Sequence, residues 1–419
     1  MDPRFYLCID LKSFYASVEC VERGLDPMTT CLAVADATRT DKTICLAITP
    51  AMKAMGIRNR CRVYEIPPGV DYIMATPRMQ RYLEYSARIY GVYLKYVAKE
   101  DIHVYSVDEA FLDVTDYLHL YHMNAKELGQ RIMQDVYDTT GITATCGIGT
   151  NLYLTKVALD ILAKHAPDHV GALNETRYRR TLWDHLPLTD FWRIGHGTEQ
   201  RLLRYGIHTM RDITLADEDS LYREFGIDAE LLIDHAWGRE SATIADIKAY
   251  RPESHSLSSG QVLPRDYEYE EGLLLFKEMA DLLCLDLCDH NLTAASATLW
   301  IRYARSCPIG GSHGTVSFDR PTCLSRLVLP KIEELYRAVA VAGAPLRQIN
   351  LCFNRVEPET FTQYGLLDDV EQLERERTLQ KTISSLQHRY GRNALLKGMN
   401  LDDAGRTAER NTEIGGHRA

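Results

Sequence analysis

The sequence predicts an α+β protein of several domains, and three stretches carry that expectation. Roughly residues 1–170 alternate short apolar runs with segments of helical spacing. Roughly residues 171–240 carry helical patterning and no strand signal. Residues 253–356 read strand, helix, strand, strand, helix, strand, which fits a four-stranded sheet with two helices on one face. A chain of 419 residues exceeds the usual domain of about 100–200 residues, so several domains are expected.

In the first stretch, Phe5, Leu7 and Ile9 mark a buried strand over 4–11, followed by a helix over 13–23. Residues 31–35 and 42–47 are short apolar runs, expected to pair as strands. Met79, Leu83, Tyr90, Tyr93 and Val97 recur at helical spacing. Residues 103–106 and 110–114 flank a turn and predict a hairpin. Asn124 with Glu127 forms a capping box for a helix whose inner face carries Leu128, Ile132 and Val136. A strand over 142–148 ends at Gly149, and a helix follows over 151–165. The second stretch centres on Arg193-Ile-Gly-His-Gly-Thr198, with Gly206-Ile207 beyond it. Residues 241–252 read as a linker. In the third stretch the strands fall near 255–263, 294–305, 314–318 and 347–355, with helices near 272–288 and 323–340. From about Phe361 a short loop, a charged helix over 369–390 and a polar tail complete the chain.

Composition narrows the class. Hydrophobic residues make up 45% and charged residues 25%, as in ordinary globular proteins. No apolar run approaches the ~20 residues of a membrane helix, and the N-terminus carries charges inside its apolar stretch, unlike a signal peptide. The eleven cysteines include no CxxC pair. Cys284 and Cys288 lack partners at zinc-ligand spacing, so reduced thiols and a cytoplasmic location are expected. His119 and His122 have no acidic or cysteine partner nearby at ligand spacing and read as surface or helix-flank residues. The net charge of −10 weighs against a nucleic-acid binder held by a global field. Any DNA contact must come from local basic surface and backbone amides.

Asp10 ends the first strand, and Asp108 and Glu109 sit at the predicted hairpin tip. Adjacent strands of one sheet would bring them together. Crowded carboxylates raise one another's pKa unless a cation lies among them, and magnesium takes all-oxygen ligands alongside substrate phosphates. Two such ions can activate a 3′-hydroxyl and stabilise a leaving pyrophosphate. Taken singly, an Asp-Glu turn or an Asp after a strand is more often a turn or helix cap.

The surrounding residues are more specific. Cys8-Ile-Asp-Leu-Lys-Ser-Phe-Tyr-Ala-Ser-Val-Glu19 and Tyr105-Ser-Val-Asp-Glu-Ala-Phe-Leu-Asp113 resemble the two catalytic motifs of Y-family translesion DNA polymerases, in the same order. The resemblance covers at least 1–355 and looks closest to the UmuC-like branch; the ending Ala408-Glu-Arg-Asn with Ile414-Gly-Gly-His417 is similar to members from Gram-positive bacteria. It implies a right-hand polymerase with a palm (1–30 and 70–170), small fingers (31–69), a helical thumb with a helix-hairpin-helix (171–240) and a little finger (253–356), leaving a C-terminal segment over 357–419. It implies a DNA-directed DNA polymerase joining dNTPs to a primer on template DNA, of low fidelity, in lesion bypass, repair and an SOS-type damage response. Asp10, Asp108, Glu109 and the carbonyl of Leu11 then match the ligands of two Mg2+ ions. Tyr15, beside Phe14, matches the steric gate: a flat ring against the sugar leaves no room for a 2′-hydroxyl. Lys156 matches the triphosphate lysine, and Lys53 stands where relatives carry a basic residue near the same phosphates. Pro50 departs from the pattern, since many relatives have a phosphate-bonding tyrosine or asparagine there and proline has no donor. Arg58 and Arg60 are candidate replacements.

For the DNA itself, Gly195, Gly197 and Thr198 read as a helix-hairpin-helix turn whose free amides suit a phosphate. Ser256, Ser258 and Ser259 resemble the first little-finger strand, which tracks the DNA backbone. Arg251, Arg302, Arg305, Arg320 and Arg355 could add charge, yet residues 250–355 hold 11 Lys/Arg against 12 Asp/Glu, so any basic surface there is one-sided. Gln363-Tyr-Gly-Leu-Leu367 resembles the pentapeptide that docks on the bacterial sliding clamp, with Gln363, Leu366 and Leu367 as its contacts. A tether of that kind would replace intrinsic affinity with local concentration. Two other functions fit the carboxylates alone: a nucleotidyl cyclase, which needs no DNA grip, and a non-catalytic DNA scaffold, which needs neither Tyr15 nor Lys156.

Overall fold

The structure, a computed structural model, describes residues 4–36, 38, 40–366 and 368–419. The chain divides into two compact units, residues 1–250 and 251–418.

The first unit is built on β1 (Tyr6–Leu11), which is apolar toward both faces as a central strand must be. Leu7 and Ile9 enter one core; Tyr6 and Cys8 enter the other. Helix α1 (Phe14–Glu22) follows at once. Next come β2 (Leu32–Val34), β3 (Ala47–Ile48), α2 (Pro50–Ala54) and β4 (Ile73–Ala75), which form a three-stranded sheet in the order β3-β2-β4. Leu32 and Val34 point to the main core, whereas Ala33 packs with Ile48, Met52 and Ile57 in a small core of its own. Two expectations need correction. The partner of β2 is 47–48 rather than 42–47, and this small sheet reaches to Ala75, past the predicted boundary at 69.

Helix α3 (Met79–Tyr93) buries Tyr82, Tyr85, Ile89 and Tyr93, while Leu83 is exposed. Met79, Tyr90, Tyr93 and Val97 thus face the core as expected, and Leu83 alone does not. Strands β5 (Ile102–Val104) and β6 (Glu109–Asp113) form the expected hairpin. After α4 (Thr115–Tyr121), helix α5 (Ala125–Thr140) opens on the Asn124–Glu127 capping box and buries Leu128, Ile132 and Val136. Then come β7 (Ala144–Gly149), α6 (Leu152–Val157) and β8 (Val170–Leu173), completing a five-stranded sheet in the order β5-β6-β1-β7-β8. Strand β8 lay unforeseen at the expected thumb boundary, and it belongs to this sheet.

The helical stretch after β7 is not uniformly α: α6 passes into a π turn over 158–162 and a 3-10 turn over 163–165. It lies unusually close to the sheet. A Cβ on Gly147 would sit 2.3 Å from the Thr155 carbonyl, and one on Gly149 would sit 2.4 Å from the Thr155 amide. Glycine at these two positions is what lets the helix settle there.

Helices α7 (Glu175–Thr181), α8 (His196–Leu203), α9 (Met210–Leu215), α10 (Glu218–Phe225) and α11 (Asp228–Trp237) pack around Tyr178, Phe191, Leu202 and Met210. The segment read as a linker holds α12 (Ile244–Ala249), whose Ile244 inserts among Tyr6, Phe111 and Leu159 under the sheet. Ile244 alone of 241–252 is buried, and it anchors the start of α12 to the first unit.

The second unit contains β9 (Ser256–Tyr267), α13 (Tyr269–Asp289), β10 (Leu292–Tyr303), β11 (Ser312–Thr322), α14 (Ser325–Val339) and β12 (Leu346–Asn354). The sheet order is β11-β10-β12-β9, with β13 (Glu357–Pro358) added beside β10. One face is covered by α13 and α14 over Leu299, Ile301, Leu351 and Phe353. Helix α15 (Val370–Tyr390) packs on α13. The tail is not a loose polar end. Through α16 (Thr407–Arg410), β14 (Glu413–Ile414) and β15 (His417–Arg418) it folds onto this unit. Buried Glu278 on α13 accepts hydrogen bonds from Asn400 Nδ2 (2.9 Å) and the Arg406 amide (2.8 Å).

Candidate active site

Register sets the geometry of the carboxylates. Asp10 on β1 lies directly opposite Glu109 on β6, and the Leu11 amide donates to the Asp108 carbonyl at 3.0 Å. All three acidic residues therefore share one rim of the five-stranded sheet. Their side chains do not converge: among the described residues, no group of three His, Cys, Asp or Glu is arranged to hold a metal ion. Each carboxylate is turned to a partner of its own. Glu109 accepts from Lys156 Nζ at 2.7 Å and from the Cys8 thiol at 3.1 Å. Asp10 faces Lys164 Nζ at 3.4 Å, and Asp108 accepts from the Ser106 hydroxyl at 2.6 Å.

The electrostatics follow from that crowding. The Asp10 carboxyl is pushed up to about 6, by burial first; Lys164 opposes the rise, and Asp108 and Glu109 add to it. Burial works to lower the Lys156 and Lys164 ammonium pKa values. The facing carboxylates outweigh it, Glu109 and Asp160 for Lys156 and Asp10 and Asp160 for Lys164, and both lysines titrate above the ordinary lysine range. Lys53 is lowered, by burial first, and it feels Asp10 and Asp108 as well as Lys164 and Lys12. The rim thus pairs a carboxylate group with a surrounding set of lysines. The donor chemistry suits a hard cation, since carboxylate oxygens dominate and an anionic substrate could supply the rest.

Lys164, Asp160 and Cys8 escaped the sequence reading. Lys156, Asp160 and Lys164 are spaced by four, a helical-face signal that was available. Nothing in the sequence singles out Cys8 as a donor to Glu109; that contact exists only through the β1–β6 register.

Tyr15 stands at the start of α1, half-buried and stacked on Tyr82 with ring centroids 4.5 Å apart. Tyr82 is fixed in turn by its hydroxyl, which donates to buried Glu19 at 2.9 Å; Arg78 holds the same carboxylate through two bonds of 2.9 Å. Tyr15 also feels Asp108 and Arg60, which puts the ring at the carboxylate rim. Phe14 is different: its side chain is buried in the main core, so it supports Tyr15 from within and presents no surface to a substrate. Pro50 opens α2 at a position where a missing amide costs no helical bond.

The helix-hairpin-helix reading is corrected in part. Gly195 caps α8 and Gly197 and Thr198 lie in its first turn, but the preceding element is a 3-10 turn over 188–190 rather than a neighbouring α-helix. No side chain caps α8, and a Cβ at Gly195 or Gly197 would meet nothing within 4 Å, so this end of the helix is open.

On β9, strand alternation separates the three serines. Ser256 and Ser258 face outward, whereas Ser259 points to the helix side and accepts from Arg410 at 3.4 Å. Ser259 is thereby removed from the open face. Arg320 is likewise engaged, by Asp368. Gln363 is exposed and Leu366 fully so; Leu367 lies outside the described residues.

Comparison with known proteins agrees with this fold. Residues 9–160 match the impB/mucB/samB family, and residues 254–366 match that family's C-terminal domain. A putative UV-damage repair protein of Bacillus subtilis, UvrX, is 29% identical over 99% of this chain and 97% of its own length. DNA polymerase IV 2 of the same organism is 26% identical over 100% of this chain and 99% of its own. A solved Y-family DNA polymerase chimera superposes with a TM-score of 0.67 at 21% identity, over 85% of this chain and all of that one. The fold is thus the mixed α/β, right-hand architecture of the Y-family polymerases. Matched in both its parts across more than half its length, the chain belongs to the impB/mucB/samB family.

Proposed function

We propose that this protein is a DNA-directed DNA polymerase of the translesion kind, adding dNTPs to a primer on damaged template DNA within an SOS-type response. The carrying observation is the rim where Asp10, Asp108 and Glu109 lie beside Lys53, Lys156 and Lys164, with Tyr15 at its edge. A nucleotidyl cyclase would use the carboxylates but has no need of the open α8 terminus or the second unit's polar sheet face. A non-catalytic scaffold would have no need of this charge arrangement.

Asp10, Asp108, Glu109 and the Leu11 carbonyl would hold two Mg2+ ions, supplying activation of the primer 3′-hydroxyl and stabilisation of the leaving pyrophosphate. The protein's own groups do the rest. Lys156, released from Glu109, and Lys53 bind triphosphate oxygens. Arg58 and Arg60, with Lys164 beside Asp10, are the cations that would offset the phosphate contact Pro50 cannot make. Tyr15, held by Tyr82, packs against the sugar and excludes a 2′-hydroxyl. The free amides at Gly195, Gly197 and Thr198 take a backbone phosphate, and Ser256 and Ser258 let the duplex backbone approach their strand closely. Gln363, Leu366 and Leu367 would dock on a bacterial sliding clamp, and calorimetry on the doubly substituted Leu366→Ala, Leu367→Ala protein tests that contact. Primer extension with magnesium tests the polymerase itself: extension by the wild type and none by Asp108→Ala is expected, and no extension by the wild type would refute it.

A further inference from the structure

The open face of the second unit's sheet is not uniform. Register places Ser317, Ser296, Asn354 and Ser256 in one row across the four strands, and Thr315, Thr298, Cys352 and Ser258 in the next. These small polar side chains make a shallow track. The following row changes character: Trp300 lies between His313 and Asn350, with Gly260 beyond. Trp300 is 44% exposed, large for an indole on a strand whose other face is core. A hollow of about 270 Å³ opens beside it, bordered by Trp300, Arg302, His313, Gln348 and Asn350 and walled by the Gly310–Gly311 turn. That wall depends on close approach: a Cβ on Gly311 would sit 2.7 Å from the Ile301 carbonyl.

The lining has a chemical signature. It offers one broad π face, one guanidinium with no carboxylate partner among the described residues, and two carboxamides that can both donate and accept. It contains no carboxylate, in a chain of net charge −10. A hollow of this size is smaller than the ~300–1,000 Å³ of drug-sized ligand sites, so it suits a fragment rather than a whole cofactor. A flat, hydrogen-bonding group attached to a phosphate matches every part of it.

We propose that the Trp300 hollow takes an unpaired nucleobase of single-stranded template, stacked on the indole, with Arg302 on the adjoining phosphate and Gln348 or Asn350 on the base edge. Resting on the polymerase function proposed above, this adds a base-stacking subsite to a sheet face otherwise suited to backbone contact. Stacking tolerates any base, because each has a π face.

Binding of the full-length protein to oligothymidine and to an abasic oligomer of equal length and charge tests it, with wild type, Trp300→Phe and Trp300→Ala compared. The wild type should prefer the base-bearing oligomer by roughly tenfold. Trp300→Phe should keep part of that preference and Trp300→Ala none, with unfolding midpoints close to wild type because the side chain lies outside the core. Equal binding of both oligomers by the wild type, or full preference retained in Trp300→Ala, overturns the proposal. Primer extension run in parallel separates the two levels. A wild type that extends primers yet ignores the base defeats the Trp300 subsite alone; one that neither extends nor binds defeats the polymerase function as well.

Discussion

Lys156 Nζ lies 2.7 Å from Glu109 Oε2, and the two side chains are only 8% and 9% exposed. A lysine suited to triphosphate and a carboxylate suited to metal thus neutralise each other in the protein alone. Removing one partner of a buried pair leaves an uncompensated charge, at a cost of about 3–5 kcal/mol. Lys156→Ala should therefore lower metal-free stability by roughly that order in denaturant unfolding. Added Mg2+ should restore more stability to the variant than it adds to the wild type, because Glu109 gains a new counter-charge. A variant as stable as wild type without metal would show that the pair carries little of this role.

Asp10 predicts a pH dependence of definite sign. Its carboxyl titrates near 6 against an ordinary value of 3.8, so the folded protein holds this proton more tightly than the unfolded chain. The associated stability is present below about pH 4 and is lost as pH rises through 6, an effect on the order of 3 kcal/mol. Magnesium acts in the opposite direction, because it favours the ionised form. The rise in unfolding temperature caused by Mg2+ should be larger at pH 7.5 than at pH 5, and Asp10→Asn should flatten that difference.

Tyr15 rests on Tyr82, which rests on Glu19, so sugar selection should depend on the whole stack. Tyr15→Ala should raise ribonucleotide use relative to deoxynucleotide use by about 10- to 100-fold in kcat/KM. Tyr82→Ala, which removes only the support, should raise it less and lower overall incorporation. Unchanged sugar discrimination in Tyr15→Ala would remove the gate assignment.

Asp10, Asp108 and Glu109 were legible because sequence motif and strand pattern agree on where they lie. The four strands and two helices of residues 253–356 were legible because alternation and helical spacing are strong there. Other features were not. Strand β8 is four residues long and half glycine and alanine, so it carries little pattern. Helix α12 hides in a polar segment with one decisive apolar side chain, Ile244. The Cys8–Glu109 and Lys164–Asp10 contacts arise from strand register and from how the helical stretch sits on Gly147 and Gly149. Local propensity encodes neither. The tail read as polar because its buried groups are polar, and their partners, Glu278 and Asp281 on α13 and Gln261 on β9, lie far away in sequence.

The glycine cradle under Lys156 gives a fourth prediction. Gly147→Ala would place a methyl 2.3 Å from the Thr155 carbonyl, a backbone atom that cannot swing aside. Overpacking of this kind costs about 1–3 kcal/mol or more. The helix must also shift outward, and with it Lys156. The variant should lose stability and lose incorporation beyond what the stability change explains, measured at a temperature where it remains folded. Gly195→Ala, where a Cβ meets nothing, serves as the contrast for folding and should unfold near the wild-type temperature.

The C-terminal tail gives the last prediction. Glu278 and Asp281 are nearly inaccessible on α13, yet both are ionisable; the partners of Glu278 and the cationic partner of Asp281 come from residues beyond 390. Asn400 and the Arg406 amide bond Glu278, and Lys397 Nζ meets Asp281 at 2.5 Å. Arg406 also donates to Gln261 on β9 at 3.1 Å, and Ala404 completes the apolar core. Deleting 391–419 would strip Glu278 of its donors and leave Asp281 with the Ser325 hydroxyl (2.6 Å) but without its ammonium partner, and buried carboxylates left short of donors cost several kcal/mol. The truncated chain should unfold at markedly lower denaturant, with the loss in the transition of the second unit. Adding Glu278→Gln and Asp281→Asn to the truncation removes the unpaired charges and should recover part of the loss. If the truncated chain is as stable as the full one, the tail's bonds are replaceable by water and the tail is no integral part of that unit.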